Sequence, residues 1–190
     1  MQKIFIKEFF KSFKNIGSII PSSQALSQEI MKNINFKDSN VIVELGAGTG
    51  VFTDHLIKNR NKKTLLIIFE NNQNLYNFLK EKYKNTENLV LLDSCASTLN
   101  EILTMLHINK IDYIISGLPF LSIPTQKRND ILKAIYTSPA KKIVLFQYTL
   151  KLSHLMNKFF QLISKKRVYL NFPPAYVLCY KNSKFKNQYA

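Results

Sequence analysis

The chain has 190 residues, 46% of them hydrophobic, and carries 27 Lys or Arg against 12 Asp or Glu, for a formal net charge of +15. That length supports one domain with a real core and is short for two. Two cysteines, Cys95 and Cys179, in neither a metal-binding spacing nor a disulfide framework point to a reducing compartment. No apolar run approaches transmembrane length, and lysines at 3, 7, 11 and 14 interrupt the N-terminal apolar residues, unlike a signal peptide.

Residues 2–16 read as an amphipathic helix. At about 100° per residue, Phe5, Ile6, Phe9, Phe10, Phe13 and Ile16 fall on one arc, with Lys3, Lys7, Lys11 and Lys14 opposite. Such a stripe either docks on the domain or enters a bilayer interface with its lysines at lipid phosphates. Four aromatic residues facing four lysines favour the membrane. With Glu8 the segment carries +3, and attraction to an anionic surface would contribute roughly 3 kcal/mol. Gly17 to Pro21 breaks the pattern, and Ser22 or Ser23 then caps a second helix to about Asn33.

Next comes an apolar strand, 41–45, that ends in Glu44-Leu45 and turns through Gly46-Ala47-Gly48-Thr49-Gly50 into a helical pattern over 52–60. Glycines allow a sharp turn and a close ligand approach. A second strand, 64–69, ends at Glu70, where a parallel neighbour would present an acceptor to ribose hydroxyls. The loop spacing is G-x-G-x-G rather than the dinucleotide G-x-G-x-x-G. The carboxylate of Glu44 beside it would repel a pyrophosphate but hold an ammonium. S-adenosylmethionine (SAM) has an amino acid end, a ribose and no phosphate, so it fits. A structural turn in another α/β sheet is the plainer alternative.

Further along, strand patterns at 88–92, 111–116, 142–149, 166–172 and 175–181 alternate with helical ones at 72–84, 97–107, 127–138 and 151–163. Alternation implies a mostly parallel sheet with helices on both faces. Asn171-Phe172-Pro173-Pro174 is too short for a crossover helix, so the last two strands pair antiparallel. Seven strands closing in a hairpin is the arrangement of class I SAM-dependent methyltransferases, an α/β Rossmann-like fold. The expected organisation is residues 1–36 as N-terminal amphipathic membrane- and substrate-binding helices and 37–190 as the methyltransferase domain. Asp130 is the last acid, and the sixty residues after it hold eleven Lys or Arg. That surface suits a polyanion, either nucleic acid or an anionic bilayer.

Nearly the whole chain resembles the bacterial phospholipid N-methyltransferases, relatives of the rRNA adenine dimethyltransferases. The resemblance is carried by Phe9-Phe10-Lys11-Ser12, the run Gly17 to Ser23, the run Val43 to Thr53, Ile115-Ser116-Gly117-Leu118-Pro119-Phe120-Leu121-Ser122-Ile123-Pro124, Phe146-Gln147-Tyr148 and Asn171-Phe172-Pro173-Pro174-Ala175. It implies that Glu44, Gly46 and Gly48, with Gly50, line the amino acid end of SAM. It places Glu70 on the ribose and Asp93 on the adenine amine, with Ser94 and Ser116 beside the cofactor. Asp93 also reads as a strand-ending helix cap.

Methylases of planar exocyclic amines place Asn or Asp before Pro-Pro-Tyr or Pro-Pro-Phe. Here Gly117 stands at that position, followed by Leu118, Pro119 and Phe120. Without a side-chain acceptor a flipped adenine loses an orienting bond, whereas an alkylammonium could rest on the Phe120 ring. The expectation is SAM-dependent N-methylation of phosphatidylethanolamine toward phosphatidylcholine, with S-adenosylhomocysteine (SAH) as product. The enzyme would sit in the cytoplasm, peripherally on the inner face of the membrane, its partners a phospholipid and an anionic surface. No metal is expected, and no histidine is assigned as general base. The alternatives are an RNA or DNA adenine methyltransferase and a non-catalytic SAM-fold protein that binds lipid or nucleic acid.

Overall fold

A computed structural model describes residues 21–185; the expected amphipathic helix at 2–16 lies outside them. Among the described residues seven strands form one sheet: Val41–Leu45 (β1), Leu65–Phe69 (β2), Leu89–Leu92 (β3), Ile111–Ser116 (β4), Ala140–Gln147 (β5), Phe160–Val168 (β6) and Ala175–Asn182 (β7). Their order is β3-β2-β1-β4-β5-β7-β6. The first five run parallel, β7 is antiparallel to β5, and β6 is antiparallel to β7. The central strands are mostly apolar because helices cover both their faces, with Glu44 of β1 and Asp112 and Ser116 of β4 as buried polar exceptions.

On one face, Val43, Leu45, Ile67, Phe69, Ile114 and Leu145 pack with Leu99 and Leu103 of helix Leu99–Met105 and with Ile131 and Ile135 of helix Thr125–Thr137. On the other, Ile42, Ile68, Ile115, Val144 and Val177 meet Leu26 and Ile30 of Pro21–Met31, Leu56 of Val51–Asn59 and Leu79 of Gln73–Lys82. The described part of the first of these helices runs from Pro21 to Met31, so Ser22 and Ser23 fall inside the helix rather than ahead of it. Its buried Leu26, Ile30 and Met31, with Ile34 beyond, share the core with the sheet. The expected domain division at residue 36 therefore runs through a common core.

The other departure from expectation lies after β5. A long helix over 151–163 does not form; a 3₁₀ turn, Leu150–Leu152, leads into one α-turn, Ser153–Met156, and β6 begins at Phe160. Residues 161–167 are all exposed on this edge strand. Nothing there imposes the alternation that marks a strand, so its apolar residues mimic helical spacing.

Register aligns the strand ends. Leu45 pairs with both Phe69 and Ser116, Phe69 with Leu92, and Ser116 with Leu145. Asp93, Glu70, Gly46 and Gly117 thus leave the sheet side by side at its carboxyl edge, where open α/β sheets bind ligands.

Candidate active site

The three loop glycines have left-handed backbones, with φ of 75°, 60° and 84° at Gly46, Gly48 and Gly50, and their surroundings separate their roles. A Cβ on Gly46 would lie 2.6 Å from Leu118 Cδ2, and one on Gly50 would lie 2.3 Å from the Tyr83 hydroxyl. Gly50 is therefore a packing glycine, caught under Tyr83, whose hydroxyl donates to the Gly50 carbonyl at 3.1 Å and to Asp54 Oδ1 at 2.8 Å. Among the described residues nothing lies within 4 Å of where a Gly48 Cβ would sit, so that side of the turn is where a ligand can approach.

Glu70 is 6% exposed and holds this loop. Its Oε2 accepts the Gly48 amide at 2.8 Å, and its Oε1 accepts the Asn72 amide at 2.9 Å. Each carboxylate oxygen has a second lone pair, so these bonds leave acceptor capacity for hydroxyls. Asn72, the residue two after Glu70, caps helix Gln73–Lys82 by accepting from the amides of Asn74 and Leu75. Asp93 stands exposed just beyond β3, with Ser94 half-buried beside it.

Glu44 is fully buried on β1. Thr53 Oγ1 donates to its Oε2 at 2.7 Å, while Oε1 has no hydrogen-bond partner among the described residues. Burial pushes its carboxyl up to about 7, with the Thr53 bond opposing. An unpartnered acceptor next to the glycine turn is costly, and an ammonium would complete it. The buried acceptor of Glu44 and the strand-ending carboxylate of Glu70, either side of the open Gly48 turn, fit the two ends of SAM they would meet, its amino group and its ribose.

On the other side of the turn, the Gly117 amide donates to the Leu45 carbonyl at 3.0 Å. A Cβ on Gly117 would lie 2.7 Å from the Gly46 carbonyl oxygen. Ser116 is buried, and its Oγ accepts the Leu118 amide at 3.3 Å, so this hydroxyl shapes the turn. Leu118 is half-buried against Gly46, and Pro119 is exposed. Phe120 departs from expectation. It is 0% exposed, packed in the core beneath the sheet, because the turn folds its ring inward, and it presents no face to an amine.

The sequence reading gave no site role to Phe52 or Phe146, which with Tyr148 form the aromatic face beside this position. Phe52 packs edge-on to Phe146 at 5.6 Å between centroids, and Phe146 packs edge-on to Tyr148 at 5.7 Å. Phe52 Cε2 comes within 3.8 Å of where a Gly117 Cβ would sit. The signal was available in the i, i+2 spacing of Phe146, near the end of β5, and Tyr148, just beyond it, and in Phe52 in the first turn of the helix that follows the glycines. Among the described residues no cluster of His, Cys, Asp and Glu could hold a metal.

Sheet order and site together define a class I SAM-dependent methyltransferase. The family model for ribosomal RNA adenine dimethylase matches residues 10–156, and the chain belongs to that family. It is 31% identical over 132 residues to an ornithine lipid N-methyltransferase of Singulisphaera acidiphila, which covers 70% of this chain and 69% of that protein. It is 30% identical over 83 residues to the ribosomal RNA small subunit methyltransferase A of Persephonella marina, a match spanning 44% of this chain and 31% of that one. Among solved structures, the N-methyltransferase NodS from Bradyrhizobium japonicum superposes with a TM-score of 0.70 at 8% identity, over 85% of this chain and 97% of that one, and has also been solved with SAH. Magnesium protoporphyrin IX methyltransferase from Synechocystis, with bound SAM, gives 0.63 at 12% identity, over 85% and 78%. At these identities the structural likeness concerns the fold.

Proposed function

We propose that this chain methylates the primary amine of a membrane lipid, phosphatidylethanolamine being the first candidate. The observation that carries the reading is Gly117. A planar base amine is oriented by a side-chain acceptor at that position, and here neither an acceptor nor room for one exists, since a Cβ would meet the Gly46 carbonyl. The similarity to an ornithine lipid N-methyltransferase supports it, because that protein's name also specifies an amine carried on a lipid.

Bound SAM supplies a methyl group on a positively charged sulfur. In this reading Glu44 would hold its ammonium and Glu70 its ribose, with the methyl acceptor received beside Gly117. Asp93 and Ser94 lie where the adenine would end. The Phe52, Phe146 and Tyr148 rings flank the methyl acceptor, attracting its ammonium form by cation–π interaction and excluding water. Once the amine has lost a proton to solvent, its lone pair forms the N–C bond as the C–S bond breaks, leaving neutral SAH. Positioning of this kind lowers a barrier by several kcal/mol. No helix among the described residues is long and apolar enough to cross a membrane. In this reading the lipid is met at the interface, through residues 2–16 with Lys3, Phe5, Lys7, Phe9, Phe10, Lys11, Phe13 and Lys14, and the protein works peripherally.

The test is methyl transfer from labelled SAM to vesicles of phosphatidylethanolamine, with ornithine lipid vesicles and ribosomal RNA in parallel. Label migrating with methylated lipid on thin-layer chromatography is the expected result. Label confined to RNA would replace this reading with adenine methylation, the activity that the family's name and the basic C-terminal third favour.

A further inference from the structure

The loop between β6 and β7 is built inside out. Val168 and Ala175 close the hairpin as a buried pair, 8% and 0% exposed. Within the loop the polar residue is the buried one. Asn171 is 5% exposed, and its side-chain amide donates to the Pro173 carbonyl. The apolar residues point out: Tyr169, Leu170 and Phe172 are 71%, 81% and 86% exposed. A loop meant only for water would reverse this arrangement, and contiguous exposed apolar groups mark an interaction surface.

Behind the tip come Lys165, Lys166 and Arg167, all exposed. The Arg167 guanidinium lies 4.9 Å from the Tyr169 ring and 5.4 Å from the Tyr176 ring, so its charge sits at the base of the apolar tip. No acidic residue follows Asp130. Register places the tip at the carboxyl edge of the sheet: Gln147, the last residue of β5, pairs with Tyr176. The hairpin therefore projects on the side of Gly117 and Phe146.

We propose that the Tyr169–Phe172 hairpin tip inserts into the interface of an anionic bilayer and turns the mouth of the site toward it. An aromatic and aliphatic tip with a basic collar matches the layering of an anionic membrane, apolar below the headgroups and negative at them. Leu170, the residue at the centre of the tip, has no π-face for a nucleic-acid base. The inference deepens the lipid-amine reading, but insertion is measured without cofactor or methyl transfer, so each can fail alone.

The chain contains no tryptophan, so Leu170→Trp makes a sole reporter at the tip. Its emission should be solvent-like in buffer. It should shift to the blue with vesicles of phosphatidylglycerol and phosphatidylcholine, and be quenched by brominated acyl chains. Phosphatidylcholine alone should shift it less. Leu170→Ser and Phe172→Ser should each lower vesicle partitioning roughly tenfold with unchanged thermal melting. Three results would overturn the proposal: protein that sediments with vesicles while the reporter's emission stays solvent-like, emission already blue without lipid because the chain's own segment covers the tip, or quenching by RNA and not by brominated lipid.

Discussion

Gly117 and Gly46 touch backbone to backbone. A Cβ at 117 would stand 2.7 Å from the Gly46 carbonyl oxygen, and that carbonyl belongs to the turn that would face the cofactor. Gly117→Asn, which would restore the acceptor of a base methylase, should therefore displace the turn. Overpacking costs about 1–3 kcal/mol, so the expected outcome is a fall in SAM affinity of roughly tenfold or more without gain of RNA methylation. Calorimetric titration and an RNA assay check both halves.

Glu70→Ala should act on the same turn from the opposite side, since it removes the acceptor of both the Gly48 and Asn72 amides. Hydrogen bonds to a charged group are worth about 1.5–3 kcal/mol each, so SAM affinity should drop at least tenfold. Helix Gln73–Lys82 keeps its Asn72 cap, and circular dichroism should be unchanged. Unaltered SAM affinity would remove Glu70 from the site.

The raised carboxyl of Glu44 gives a signed pH dependence. Its pKa is about 7 in the fold against 4.5 for the free group. Between those values the folded chain holds a proton the unfolded chain has lost, so this residue lowers stability as pH rises from about 4.5 through 7. The loss is on the order of 3 kcal/mol, and Glu44→Gln should flatten it in a melting-temperature series. SAM binding should favour the ionised carboxylate, with affinity climbing through pH 7 until the ligand's own amino group deprotonates near 7.7–8.0. In the Gln variant the climb should vanish and the affinity fall.

Phe52→Leu and Phe146→Leu keep apolar volume but lose the ring faces beside Gly117. Cation–π attraction is worth about 0.5–2 kcal/mol. KM for the lipid amine should therefore rise by roughly two- to thirtyfold while SAM affinity holds. Steady-state kinetics with vesicle substrates would show it, and equal losses in both constants would mean that the rings only support the fold.

Changing Phe9 and Phe13 together to Ser should abolish binding to anionic vesicles and spare SAM binding. In the native protein added salt should weaken vesicle binding through screening. A double variant that unfolds, combined with a native protein indifferent to anionic vesicles, would place residues 2–16 in the core instead.

The readability of this chain follows burial. Strands β1, β2 and β4 lie where mostly apolar runs predict them, because both their faces are covered and the pattern has one cause. β6 reads as helix from Phe160 to Ile163 because its side chains are mostly exposed and its spacing answers to no core. At the site, the glycines and strand-ending acids are legible, as backbone freedom and charge are properties of single residues. The bond from the Gly48 amide to Glu70 is not, for it depends on how two strand ends meet. Phe120 misleads for a related reason: a ring after a turn can go inward or outward, and the sequence of the turn does not say which.

The exposed edge of β6 has a bearing on crowding. An unpaired strand edge invites a second copy to add its own strand. In antiparallel pairing, two such edges would bring Lys165, Lys166 and Arg167 of each copy into opposition along one ladder. Like charges set opposite each other on neighbouring strands destabilise the pairing. Molecules gathered densely on a two-dimensional surface would thus repel at the place where their sheets could fuse, and remain separate, turning units.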